Sequence, residues 1–258
     1  MSNVTFLGTG GGRMVVLNQM RKSGGFWLKL DGANILHDPG PGSLVMVHQL
    51  GMRPRELDAI VLSHRHIDHS NDVNVLIEAM TGGGFTPRGQ LIVPPDCLDS
   101  DPVILQYVRS FVKIIEIRKG MEMTLKDIKM RFPIENMHPV KTYGVIYTFK
   151  SGRLGYIPDT EYFPELADAY AGVDYLILNV VRMKTNKRIC HLNMDEAADL
   201  IDKIRPQKAI MTHFGLQVLR SSPERQAKLI SEKTGIEVIA AQDGMTVNLE
   251  DSNIKKWF

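Results

Sequence analysis

Apolar and polar positions alternate along this chain in short runs. Val4 to Leu7, Phe26 to Leu30 and Ala33 to Leu36 have the apolar content of strands, and Asp31-Gly32 sits where a two-residue hairpin turn requires positive φ. Asp58 to Leu62 is a compact apolar run that reads as a buried strand and stops at Ser63, where an unusually polar segment begins. A helix is predicted from Ser70 to about Met80, stopped by Thr81-Gly82-Gly83-Gly84, and His48 falls in another. Further strands are predicted at Leu91 to Val93, Lys113 to Ile117, Ile128 to Phe132, Val145 to Phe149 and Leu154 to Ile157.

The second half changes character. Tyr175 to Val181 and Lys208 to Met211 read as buried strands. Met194 to Ile204 reads as a helix whose Asn193 and Glu196 have capping-box spacing, with Pro206 just past its end. Ser222-Pro223-Glu224 is an N-cap followed by proline at the first helical position, opening a helix that closes near Gly235. The strands fall into two groups, each trailed by helices, with no linker, repeat or low-complexity tract between them. That organisation predicts one α/β domain over residues 1–258, made of two packed sheets that each need a helical cover.

Composition narrows the class. Of 258 residues 43% are hydrophobic and 23% charged, which excludes disorder and collagen-like repetition. Lys and Arg (31) nearly balance Asp and Glu (29), so a polyanion would have to be met by a local patch. No apolar run approaches the roughly 18 residues needed to cross a bilayer, and Met1-Ser2-Asn3 leads into a strand without a basic and apolar leader. A cytoplasmic address without membrane contact is therefore expected. Cys97 and Cys190 form no C-x-x-C pair and read as reduced, buried thiols.

The polar segment after the fourth strand is His64-Arg65-His66-Ile67-Asp68-His69. Residues two apart in an extended stretch project to one side, so His64 and His66 can bind one cation while Asp68 and His69, at a helix start, reach a second. Unpaired histidines at the mouth of a buried strand are costly without a ligand. Other ligand types stand just past apolar runs: His138, Asp159 after Gly155-Tyr156-Ile157-Pro158, and His213 after Ala209 to Thr212. Asp159 suits a bridge between two cations, because a carboxylate offers two oxygens.

With these residues the chain resembles the metallo-β-lactamase superfamily over nearly its whole length. Matching segments are Phe6 to Gly12, His37-Asp38-Pro39-Gly40, the H-x-H-x-D-H block, Gly155 to Thr160, Thr212-His213-Phe214-Gly215 and Asp243-Gly244-Met245. The resemblance implies a four-layer αββα sandwich of two mixed sheets with helices on the outer faces. It also implies a dinuclear centre with His64, His66 and His138 on one ion, Asp68, His69 and His213 on the other, and Asp159 bridging. Two divalent ions are expected, with zinc first and manganese or iron as alternatives. Within the superfamily the chain looks most like the phosphodiesterase branch of ribonuclease Z and the phosphoribosyl cyclic phosphodiesterases. That branch has an extra histidine before the last ligand, a place that His191 fills.

The activity so implied is hydrolysis of a small or cyclic phosphodiester by a metal-bridging hydroxide. His191 would protonate the leaving oxygen or stabilise the developing charge, and Asp68 would take a proton besides ligating. Arg13 with Arg21 and Lys22, and Arg182, Lys184, Lys187 and Arg188, place positive charge on two loops where a phosphate, or RNA, could be met. Ribonuclease Z carries a long RNA-holding arm between its third histidine motif and the bridging aspartate. Only 20 residues separate His138 from Asp159, so that arm has no room. The extra cysteine cluster of some cyclic phosphodiesterases is also absent. A thioester or lactone hydrolase, a ribonuclease Z-like endonuclease and a metal-loaded nucleotide-binding module stay as alternatives, and a homodimer is left open.

Leu7 to Arg13 also suggests a dinucleotide loop with Asp38 on a ribose. That reading fails because Arg13 replaces the last glycine and Met14-Val15-Val16 does not read as a helix opening. The glycines are better explained by a loop passing close under the cleft. His37 and His48 read as packed or exposed residues, His37 with a supporting role beside Asp38.

Overall fold

Strands β1 (Asn3–Phe6), β2 (Phe26–Leu30), β3 (Ala33–His37), β4 (Ala59–Val61), β5 (Gln90–Val93) and β6 (Lys113–Glu116) form one sheet in sequence order. The second sheet runs through β7 (Met121–Leu125), β8 (Ile128–Phe132), β9 (Val145–Phe149), β10 (Gly152–Ile157), β11 (Tyr175–Asn179), β12 (Lys208–Thr212) and β13 (Glu237–Ala240). The chain then returns with β14 (Thr246–Asn248) alongside β1, so that each sheet has seven strands. The structure, a computed structural model, describes residues 2–99, 101–185 and 190–250.

Both sheets are mixed. Pairing is antiparallel from β14 to β3 and parallel from β3 to β6, while the second sheet is antiparallel from β7 to β10 and parallel from β10 to β13. Asp31 and Gly32, with φ of 44° and 82°, make the β2–β3 turn expected of Asp-Gly.

Period-two alternation sorts the apolar side chains into layers. In β4, Ala59 and Val61 face the space between the sheets, where Phe6, Phe26, Leu28 and Ile35 meet Phe132, Tyr147, Tyr156 and Ile177. Ile60 faces the other way with Trp27, Leu36 and Leu91, under α2 (Ser43–Gln49) and α4 (Val73–Thr81), which contribute Val47, Leu76, Ile77 and Met80. On the far side Leu176, Leu178 and Met211 are covered by Leu166 of α5 (Glu165–Ala169), Leu200 and Ile201 of α6 (Met194–Ile204) and Ile230 of α8 (Pro223–Thr234). Strands buried on both faces explain the near-continuous apolar runs. The result is the four-layer αββα sandwich. Among the described residues no helix is long and apolar enough to cross a membrane.

Several local expectations are corrected. Arg13–Leu17 is a helix, α1, despite its two valines; burial of Val15 and Val16 outweighs their β-branched preference. The dinucleotide reading still fails, because β1 pairs antiparallel with both neighbours. The helix expected from Ser70 to Met80 is two, α3 (Ile67–Ser70) and α4. They break at Asn71-Asp72, where Asp72 N–H donates to the Pro39 carbonyl and its Oδ2 accepts from Leu44 N–H. Strand β11 ends at Asn179, two residues before the expected Val181. Cys97 is buried but Cys190 only half so, and both thiols are free. The remaining helix, α7 (Leu216–Arg220), follows the last glycine motif.

Candidate metal centre

The chemistry gathers at the C-terminal ends of parallel strands, where side chains from neighbouring strands leave the sheet together. Asp38 follows β3, His64 follows β4, Asp159 follows β10, Asn179 ends β11, and His213 follows β12. His66 caps α3 while Asp68 and His69 lie in it. Two non-glycine residues here take left-handed backbone, Asp38 (φ 47°) and His213 (φ 60°), a local cost that functional sites commonly carry. Gly11 lies so close to His213 that a Cβ would overlap its ring and carbonyl. The glycine loop is fastened by Phe214 N–H to the Thr9 carbonyl (2.8 Å) and Gly11 N–H to the Phe214 carbonyl (3.0 Å).

The seven expected ligands converge into three interlocking groups. His64, His66 and His138 form one, His64, His69 and Asp159 a second, and Asp68, His69 and His213 a third, each with ligand atoms within 4.8 Å of one another. His138 Nε2 is 3.1 Å from His66 Nδ1. Asp159 Oδ2 lies 3.9 Å from His64 Nε2, 3.5 Å from His69 Nε2 and 3.4 Å from His191 Nδ1, and Oδ1 lies 3.5 Å from His213 Nε2. Asp159 thus stands between the first and third groups.

Asp38 sets which imidazole nitrogens are free. Its Oδ1 accepts from Ser63 N–H (2.6 Å), and its Oδ2 accepts from Ser63 Oγ (2.7 Å), Tyr156 OH (2.8 Å) and His69 Nδ1 (3.1 Å). Since Ser63 spends its only hydroxyl proton on Asp38, it accepts from His64 Nδ1–H at 2.9 Å. His138 Nδ1–H donates to the Cys190 carbonyl at 3.1 Å. Each protonated Nδ1 leaves Nε2 with its lone pair toward the cluster. Within the second sheet, Asn179 Nδ2 at the end of β11 donates to Asp159 Oδ1 (2.9 Å) and lies 3.3 Å from Tyr156 OH of β10.

Burial dominates the charge states. It holds His64 well below the usual imidazole range, pushes His138 down to about 4, and lowers His66 and His191. For His69 burial is outweighed by Asp68, Asp159 and Asp38, which raise it well above that range. The Asp159 carboxyl stays well below its usual range, since His213, His191 and His69 more than offset burial. Burial keeps His64, His66, His138 and His191 toward the neutral form, while the carboxylates around His69 draw positive charge to the centre of the cluster.

The expected basic residues divide. Arg13 is exposed at the start of α1 and its charge depresses the His66 pKa, after burial and the other neighbours. Arg21 is engaged by Thr9 Oγ1 (3.1 Å) and Glu224 (3.5 Å), and Lys22 is exposed. Arg182 Nε donates to the Lys184 carbonyl at 3.2 Å, and Lys184 is exposed. Lys187 and Arg188 lie outside the described residues. His48 is exposed; His37 contacts Tyr147 OH between the sheets, away from the cluster. Sequence reading gave Ser63, Tyr156 and Asn179 no role, and Asp38, named within a matching segment, none beyond a rejected ribose contact. The one available signal was Asp38 at the same kind of strand end as Asp159.

Comparison with known proteins bears on the family and the fold. A family model described as β-lactamase superfamily domain matches residues 33–214. An uncharacterized protein of Methanocaldococcus jannaschii is 33% identical over 263 residues, covering 98% of this chain and 97% of its own. The chain belongs to the β-lactamase superfamily, and its metallo-β-lactamase likeness implies divalent metal ions. The metallo-β-lactamase fold protein YhfI of Bacillus subtilis superposes with a TM-score of 0.82 at 20% identity, covering 95% of this chain and 98% of that one. A diphosphatase of the PhnP family gives 0.71 at 21% identity, with 96% and 97% covered. At such identities the two structures bear on the fold alone.

Proposed function

We propose that the chain hydrolyses small or cyclic phosphodiesters with two divalent cations. The observation that carries this reading is a set of three buried imidazole nitrogens without hydrogen-bond partners around Asp159: His64 Nε2, His69 Nε2 and His213 Nε2. Uncompensated buried polar atoms are costly, and the convergence of these lone-pair donors fits a cation site. His64, His66 and His138 would hold one ion, Asp68, His69 and His213 the other, with Asp159 shared. A nitrogen and carboxylate set without thiolate suits zinc, and also manganese or iron. When bound, such a pair supplies Lewis acidity and lowers the pKa of water from 15.7 towards about 7.

The chain's own groups do the rest. Arg13, exposed beside His66, and the exposed Lys184, whose carbonyl accepts from Arg182 Nε, bind phosphate oxygens. Asp68 accepts a proton on the attacking side. His191, oriented by Asp159, holds the proton that the leaving oxygen takes up. A two-residue turn, Lys150-Ser151, joins β9 to β10 where a substrate-holding arm would have to emerge, which favours small substrates over transfer RNA.

The test is a parallel assay of zinc-, manganese- and iron-loaded protein on bis(p-nitrophenyl) phosphate, cyclic and linear nucleotide diesters, a lactone and a glutathione thioester. Turnover of phosphodiesters is expected. Turnover confined to the thioester or lactone would reverse the reading.

A further inference from the structure

The stretch that carries His191 is closed at its base by two hydrogen bonds. Arg182 N–H donates to the Leu192 carbonyl (3.3 Å) and Met194 N–H donates to the Arg182 carbonyl (3.0 Å), so that Arg182 and Asn193 pair as an isolated parallel bridge. Asn193, 1% exposed, then joins two structures through one side chain. Its Oδ1 accepts from Asp195 N–H (2.9 Å) and Glu196 N–H (3.1 Å), and its own N–H donates to Glu196 Oε2 (3.0 Å), completing the capping box of α6. Its Nδ2 donates to Thr185 Oγ1 at 2.9 Å.

Two features of the candidate centre hang from this anchor. Three residues before Asn193, the Cys190 carbonyl accepts His138 Nδ1–H and thereby fixes the tautomer that presents Nε2 to His66. Two residues before it, His191 places Nδ1 3.4 Å from Asp159 Oδ2. Neither the carbonyl nor the imidazole belongs to a regular element, so their positions depend on how the segment is tied down at its ends. α6 is a rigid eleven-residue helix buried along Ala197, Leu200 and Ile201, and a cap on it is a fixed reference point.

We propose that Asn193 is a positioning residue: its hydrogen bond to Thr185, anchored on the cap of α6, holds the Cys190 carbonyl and the His191 imidazole together against His138 and Asp159. The proposal rests on the ligand role of His138 and the proton role of His191 put forward above. It makes metal affinity and proton transfer two readouts of a single tether, although neither Asn193 nor Thr185 touches an ion or substrate.

Asn193→Ser keeps an oxygen that caps α6 but cannot reach Thr185. Thr185→Val removes the acceptor without touching α6 and, at an exposed position, leaves folding intact. Zinc affinity is read by competition with a chromophoric chelator, alongside kcat, KM and thermal unfolding of the full chain. Loss of an outer partner of a metal-bound histidine weakens binding 10- to 100-fold, and this tether should sit at the low end. Each variant is expected to weaken one of two zinc equivalents about tenfold and to lower kcat about tenfold with KM within twofold. The double variant should be no worse than either single one, and Thr185→Val should melt within about a degree of wild type. Zinc affinity and kcat of both variants within twofold of wild type would overturn the proposal. A wild-type chain that binds no zinc would instead overturn the metal-centre reading beneath it, and should Asn193→Ser fail to fold, Thr185→Val alone decides.

Discussion

His66 Nδ1 and His138 Nε2 face each other at 3.1 Å although 72 positions separate them along the chain. His138 Nδ1–H is spent on the Cys190 carbonyl, so His138 Nε2 turns a lone pair to His66, which either a His66 Nδ1–H or a shared cation can meet. The pair also links the sheets, since His66 follows β4 of the first and His138 lies between β8 and β9 of the second.

Asp38 should matter as much as a ligand. Removing its carboxylate in Asp38→Ala leaves Ser63, Tyr156 and His69 donors buried without an acceptor. We expect at least about 3 kcal/mol of lost stability and a 10- to 100-fold loss of zinc affinity, measured by denaturant unfolding and chelator competition. A variant with wild-type affinity would show that Asp38 does not orient His64 and His69.

A glycine pair separates close approach from backbone strain. At Gly40 an added Cβ would overlap the Asp68 carbonyl, whereas at Gly42 it meets nothing within 4 Å and costs only its positive φ of 87°. Gly40→Ala should displace α3 and lose an ion, while Gly42→Ala should keep both and lose about 1 kcal/mol. Equal metal content in the two variants would contradict the fit described for Gly40.

His191→Gln should retain its metal and lose turnover by about 10²-fold, with the smallest loss on substrates whose leaving group needs no proton. Full activity on a poor leaving group such as a ribose hydroxyl would remove His191 from proton transfer.

His37 makes the metal-free protein acid-sensitive. Burial, with Asp38 opposing, pushes its pKa from 6.5 down to about 4. Between those values the unfolded chain binds a proton that the folded chain excludes, so stability falls as pH falls through that window. By pH 4 the contribution amounts to about 3 kcal/mol. Urea unfolding at pH 7.5, 5.5 and 4.5 in the presence of chelator should show a shallower dependence for His37→Gln than for wild type. Identical slopes would place the acid sensitivity elsewhere.

The legible parts of the fold are those governed by local chemistry. Phe26–Leu30, Ile128–Phe132, Val145–Phe149 and Met194–Ile204 emerge with the expected bounds because turn residues, proline or a capping box flank their apolar runs. Edge strands β7, β13 and β14 escape notice, since a half-exposed Met121–Leu125 or a three-residue Thr246–Asn248 carries little pattern and depends on its neighbour. The convergence of the proposed ligands was foreshadowed because their His and carboxylate side chains stand just past apolar strand runs. Ser63, Asn179 and Tyr156 were not, because their roles exist only through contacts across 20 to 118 positions.

Metal stoichiometry tests the central claim most directly. Purified chain equilibrated with excess zinc and desalted should hold two ions by elemental analysis, His138→Ala should hold one, and the ion lost should be the one whose binding His66→Ala also abolishes. A folded wild-type chain that retains no divalent ion would contradict the account.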